Sequence, residues 1–177
     1  MQKPLILTVR GFTPQIDATC FIAPNATVVG NVIIKKSTSI WFNTVIRGDV
    51  NAITIGENSN IQDNVVVHCT FEKSVTSIGN NVSIGHGAVI HGCTIKDNAM
   101  IGMNAVVMDN AVINSHSIIA AGAVVLENTI TESGFIYAGI PAKKVKKADP
   151  ETLKFLIERT AKNYINYSSW FQETRCF

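Results

Sequence analysis

An aliphatic residue returns every sixth position along most of this chain. It falls at Ile16, Ile22, Val28, Ile34, Ile40 and Ile46, then at Ile55, Ile61 and Val67, then at Ile78, Ile84 and Ile90. Ile95, Ile101, Val107, Ile113, Ile119 and Val125 complete a set of eighteen, every one Ile or Val. The register slips only by three extra residues after Ile46, five after Val67 and one missing after Ile90. A period this sustained specifies a solenoid, in which each repeat buries its apolar side only by stacking on its neighbours.

Three hexads make one coil of three short strands and a triangular cross-section. The leading Ile or Val points inward, where β-branched side chains suit a pleated, buried surface. Gly, Asn and Asp follow, as in Ile55-Gly-Glu-Asn-Ser-Asn, and these residues tolerate the positive φ of tight corners. Counting in threes gives about six coils, beginning at Ile16, Ile34, Ile55, Ile78, Ile95 and Ile113, with residues 1–15 as an entry strand or cap. The repeat ends at Val125, so residues 1–137 are read as cap and solenoid. Residues 138–149 form a connecting turn around Tyr137-Ala-Gly-Ile-Pro-Ala-Lys, and 150–177 a helix and tail. Asp149-Pro150-Glu151 is a helix start, with Asp as N-cap and Pro at the first helical position. Leu153, Leu156, Ile157, Ala161, Tyr164 and Ile165 make one apolar stripe, which places a helix over about 150–169 along the outside of the prism. Lys143, Lys144, Lys146 and Lys147 read as a solvated charge run.

At 177 residues the chain fits one domain. It is 46% hydrophobic and 16% charged with a formal net charge of +2, which suits a buried core and gives no case for nucleic acid. No run of eighteen apolar residues exists to span a membrane, and the first ten residues lack an apolar stretch long enough for a signal peptide. Cys20, Cys69, Cys93 and Cys176 show no C-x-x-C spacing or disulfide framework. They read as reduced thiols of a cytoplasmic protein.

The register also fixes where the histidines point. His68 follows Val67 and His91 follows Ile90, both second in the third hexad of their coil. They stack on one corner of adjacent coils, and Arg47 holds the same place one coil earlier. His86 is third in the second hexad of its coil, stacked on Asp63, and belongs to another face. Three imidazoles are the usual donor set for a catalytic zinc with one open position, yet one rigid coil cannot bring these three together. A threefold homotrimer removes the difficulty, because His68 and His91 of one chain can face His86 of its neighbour. Closed cyclic symmetry is the normal outcome of such heterologous contacts. His116 reads as an ordinary satisfied polar residue.

At Arg47-Gly-Asp49, Asn60-Ile-Gln62-Asp63-Asn, Val67-His68 and Gly85-His86-Gly-Ala-Val-Ile-His91-Gly the sequence resembles the γ-class carbonic anhydrase family, in its short bacterial branch. The resemblance extends into Gly139-Ile-Pro-Ala-Lys. It implies a left-handed parallel β-helix and makes His68, His86 and His91 the metal ligands, divided between two subunits. It further implies that Gln62 hydrogen-bonds the metal-bound water or the substrate. Arg47 and Asp49 become a charge-paired network at the subunit boundary, supported by Asp63 and Asn60, with Tyr137 a candidate for the pocket wall. The implied reaction is reversible hydration of CO2 to bicarbonate by a metal-bound hydroxide. The metal is zinc, and iron(II), cobalt(II) or nickel(II) fit the same ligands.

The chain departs from the family's active members in two places. They carry a carboxylate directly after the Arg-Gly-Asp triplet, where Val50 stands here. They also carry a long acidic loop after the first ligand, where this chain has only Phe71–Ser77 with Glu72 as its single acid. The implied turnover is therefore slow. Two other classes stay open: an acyl-CoA thioester transferase or hydrolase on the same repeat, and a non-catalytic, metal-stabilised trimeric assembly protein.

Overall fold

The computed structural model describes residues 3–173, and within them the hexads wind into a parallel β-helix. On one face the rungs are Phe21–Ile22, Ser39–Ile40, Asn60–Ile61, Ser83–Ile84, Met100–Ile101, Ile118–Ile119 and Phe135–Ala138, each paired in parallel with the next. The stack therefore runs to about seven turns of the left-handed helix, followed by a single C-terminal helix.

The fourth place of each hexad explains why the chain turns where it does. Ser37, Asn43, Asn58, Asn64, Asn81, Asn98, Asn104, Asn110, His116 and Asn128 all sit there with φ between 55° and 60°-odd, and Gly87 and Gly122 share the left-handed conformation. Asn enters this region at less cost than other side chains, because its short amide bonds locally to the backbone. His116 is thus an exposed corner residue, in keeping with its reading as structural.

Two layers of side chains fill the prism. Ile34, Ile40, Ile46, Ile55, Ile61, Ile78, Ile84, Ile90, Ile95, Ile101 and Ile113 are all but fully buried. Small residues at the fifth place (Ala26, Ala88, Ala99, Ala105, Ala111, Ala123) fill the space between them. Where that fifth residue is Thr, its hydroxyl caps a carbonyl of the next coil: Thr38 donates to Gly56 at 2.6 Å and Thr44 to Gln62 at 2.7 Å. The three residues inserted after Ile46 are absorbed inside one continuous strand, Val45–Ile55, whose pairing with Thr27–Ile34 shifts register between Gly30 and Val32.

The far end differs from the sequence-based expectation. Leu5–Leu7 pairs with Thr27–Val29 as the entry strand expected within residues 1–15, whereas Phe135–Ala138, which pairs with Ile118–Ile119, is a rung outside the Ile/Val pattern. The segment read as a connecting turn contains the strand Lys143–Lys147, which pairs antiparallel with Phe135–Ala138 and closes that edge. Its lysines are exposed, the usual way an edge strand resists further pairing.

The helix begins where Asp149 caps it, accepting from Thr152 N–H at 2.8 Å. It runs as Pro150–Leu153, a wider π segment Lys154–Arg159, and Thr160–Glu173. Ile157 and Ala161 are buried as the stripe requires, but Ile165 is exposed. Beyond Ala161 the inward line follows Tyr164 and Tyr167, which pack against the core. Aromatic packing decides this: Tyr164 meets Trp41 edge-on at 5.2 Å, and Trp41 packs on Phe21 at 5.1 Å. Among the described residues no helix is long and apolar enough to cross a membrane. Cys69 and Cys93 are buried thiols, and burial pushes Cys93 up to about 12; Cys176 and the tail beyond residue 173 lie outside the described residues.

Candidate metal centre

Strands Val66–His68 and Val89–His91 pair in parallel with His91 directly over His68. The pairing of Val45–Ile46 with Val66–Val67 brings Arg47 onto the same corner below. The hydrogen bonds between rungs therefore set the spacing of this column, and the side chains inherit it.

The ring nitrogens of the two histidines are committed in a complementary way. His68 Nε2 lies 3.0 Å from Asp49 Oδ1, and His91 Nδ1 lies 2.9 Å from Asp109 Oδ2. At Asp49 burial works upward, but hydrogen bonds from Arg47 and His68 and the Arg47 charge outweigh it and hold the carboxyl below its usual range. At Asp109 burial is again opposed, by hydrogen bonds from Ser74, His91 and Thr70, and the value falls to about 2. Both groups are ionised near neutrality and can only accept. Burial is the largest influence on His68 and lowers it, favouring the neutral ring. The nitrogen of each imidazole that faces a carboxylate therefore carries the N–H and donates it. The remaining nitrogens, His68 Nδ1 and His91 Nε2, face each other 3.2 Å apart, within hydrogen-bond reach, with the donor set by the tautomer.

His86 lies on the neighbouring face. Its Nδ1 is 2.8 Å from Asp63 Oδ2, and the other oxygen of Asp63 accepts from the Phe42 N–H at 3.2 Å. This is the stacking of His86 on Asp63 that the register implied. Among the described residues, His86 Nε2 has one long contact, 3.5 Å, to the hydroxyl of Tyr164. Burial, then the charge of Asp63, push that phenol up to about 12. Asn60 and Gln62 are buried beside them. Gln62 donates from Nε2 to Asn60 Oδ1 at 3.0 Å, and Asn60 donates to Ser83 Oγ at 2.8 Å, so among the described residues this pair leaves the Gln62 carbonyl oxygen as its open acceptor.

The sequence-derived residues thus form two half-sites. Arg47, Asp49, His68 and His91 share one corner, and Asn60, Gln62, Asp63 and His86 the next. Among the described residues of one chain, no group of three His, Cys, Asp or Glu side chains is placed to hold a metal ion.

A profile for the bacterial transferase hexapeptide (six repeats) matches residues 92–127. A probable carbonic anhydrase from Methanocaldococcus jannaschii is 47% identical over 147 residues, covering 83% of this chain and 91% of that protein. The chain belongs to the γ-carbonic anhydrase family. Another member, the mitochondrial gamma carbonic anhydrase 2 of Arabidopsis thaliana, is 44% identical over 91% of this chain, which spans 59% of the plant protein's length. Among solved structures, a hexapeptide transferase family protein from Anaplasma phagocytophilum superposes with a TM-score of 0.90 at 42% identity, covering 94% of this chain and 98% of that one.

Three residues of this γ-carbonic anhydrase family member stand beside the site without having been read as part of it from the sequence. Asp109 had a readable signal: Val107-Met-Asp109 stacks on Ile90-His-Gly92, which sets a carboxylate above a residue with no side chain. Arg10, which donates to the Asp49 carbonyl at 3.3 Å and lies over the Phe71 ring, belongs to the non-repetitive cap. Tyr164 reaches His86 across 78 residues, a contact no local pattern encodes. Tyr137, expected in the pocket wall, is buried, and its hydroxyl oxygen accepts the Glu132 N–H at 2.8 Å. Glu72 lies exposed on its loop.

Proposed function

We propose that the chain assembles as a homotrimer that reversibly hydrates CO2, with zinc held at each seam by His68 and His91 of one subunit and His86 of the partner subunit. The observation that carries this reading is the facing pair of ring nitrogens, His68 Nδ1 and His91 Nε2, 3.2 Å apart. Two nitrogens bound to one zinc at about 2.0–2.1 Å in tetrahedral geometry stand about 3.4 Å apart, close to the spacing present. The carboxylates behind each ring supply the outer support that metal-binding histidines use, and His86 on Asp63 repeats the same arrangement. Iron(II), cobalt(II) and nickel(II) suit these ligands as well.

Three neutral imidazoles let zinc bring the pKa of its water to about 7, which supplies a nucleophile for CO2 at neutral pH. The chain's own residues do the rest. Asp49, Asp63 and Asp109 hold the ring orientations, and Arg47 balances the Asp49 charge. Asn60 fixes the Gln62 amide so that its carbonyl oxygen can accept a hydrogen bond from the reacting water. With Val50 in place of a carboxylate and Glu72 exposed, proton export to solvent is the slow step.

The test is metal quantification on freshly purified protein, followed by CO2 hydration across buffer concentrations. Expected are about one zinc per chain, a trimeric mass, and slow turnover that rises with imidazole buffer. His68→Ala should remain trimeric while losing zinc and activity. A metal-free wild type, or a His68→Ala variant with full activity, overturns the reading. Parallel assays with acetyl-CoA separate it from the transferase chemistry named for some hexapeptide-repeat relatives.

A further inference from the structure

We infer that Asp109, braced by Ser74, is the positioning residue that aims His91 at the metal, an inference that rests on the metal site proposed above. Asp109 comes from the coil above His91 and is only 5% exposed. One carboxylate oxygen takes the His91 Nδ1–H at 2.9 Å, and the other takes the hydroxyl of Ser74. Ser74 is itself buried and accepts the Thr70 N–H at 3.0 Å. The Asn51 amide then ties down the carbonyls of Thr70 and Ser74 at 2.9 and 2.7 Å. The carboxylate is gripped from two sides by groups that cannot move independently.

Gly92 is the second, independent observation. It stands between Asp109 and Ser74 with φ of +58°, and a Cβ built on it would collide with the Ser74 hydroxyl and an Asp109 oxygen. The corner is vacated so that the carboxylate can descend onto the ring. Asp49 and Asp63 are looser by comparison, with side chains 26% and 30% exposed. Asp109, at 7%, is the one carboxylate of the three whose position solvent cannot relax.

A carboxylate on Nδ1–H selects the tautomer whose Nε2 lone pair faces His68. Removing it frees the ring to exchange tautomers or rotate, and loss of such a partner typically weakens metal binding about 10- to 100-fold. The short loop through Ser74 thereby acts on the ligand without touching the metal.

The experiment uses the full chain with Asp109→Asn, Ser74→Ala and, as control, Glu127→Gln, which lies in the same column one coil further on. Zinc affinity is read by chelator competition, and the His91 tautomer by long-range 1H–15N spectra of the metal-free, 15N-histidine-labelled protein. Asp109→Asn should weaken zinc binding about 10- to 100-fold and mix the His91 tautomers. Ser74→Ala should give a smaller loss in the same direction, and Glu127→Gln none. Unchanged affinity and tautomer in Asp109→Asn overturn the inference, and should that variant not fold, the same result in Ser74→Ala does so. A wild type that takes up no zinc removes the metal site itself, a failure visible before any variant is made.

Discussion

Gly92 shows how narrow the tolerances are at single positions. Its left-handed φ and its two close neighbours penalise any side chain twice, once through the backbone and once through the contact. Gly92→Ala should cost about 1–3 kcal/mol, seen as a lower urea midpoint at constant m-value, and should also reduce zinc retention. Asp109 gives a pH signature in the metal-free protein. Its native value of about 2 lies below the ordinary 3.8, so its stabilising effect is complete above about pH 4 and is lost as pH falls toward 2, on the order of 2 kcal/mol in all. Unfolding midpoints of wild type and Asp109→Asn, compared from pH 6 downward, should converge through that acidic window. A constant gap would contradict the assignment of the shift to the folded state.

Each rung depends on the corner residue that follows it. Asn128 holds φ of 60° on the surface while its N–H closes on the Asp109 carbonyl at 3.1 Å. Asn128→Ala should destabilise by about 1–2 kcal/mol, whereas Asn128→Gly should be close to neutral in a thermal melt. This regularity is also why so much was legible in advance. The inward Ile/Val and the outward second and third places of each hexad placed His68 under His91 and His86 over Asp63, because side-chain direction follows backbone register. The entry strand Leu5–Leu7 was expected within residues 1–15, but the rungs at Phe135–Ala138 and Lys143–Lys147 were not legible, since chain pairing at that end holds them and no Ile/Val period marks them. The Asp109–Ser74 pair was half legible. Register sets Asp109 above Gly92, but Ser74 arrives through an irregular loop whose path only its hydrogen bonds define.

For the whole molecule, the division into two half-sites has a direct genetic consequence. His68→Ala and His86→Ala should each abolish zinc binding alone. In trimers reassembled from equal amounts of both variants, a seam is intact when an undamaged His68–His91 corner meets an undamaged His86. Random mixing satisfies that at about one quarter of seams, so zinc content and CO2 hydration should return to about that fraction of wild type. Recovery at the level of either single variant would mean that the three ligands do not meet between subunits.

The column holding Arg47, His68 and His91 continues to Met108, since Ile90 pairs with Val107. The solenoid is in effect a graduated ruler: every matched corner lies one division, roughly 4.8 Å, from the next. A pair of facing side chains can therefore be moved along the scaffold by rewriting two letters of the sequence while the distance between them stays as the backbone wrote it.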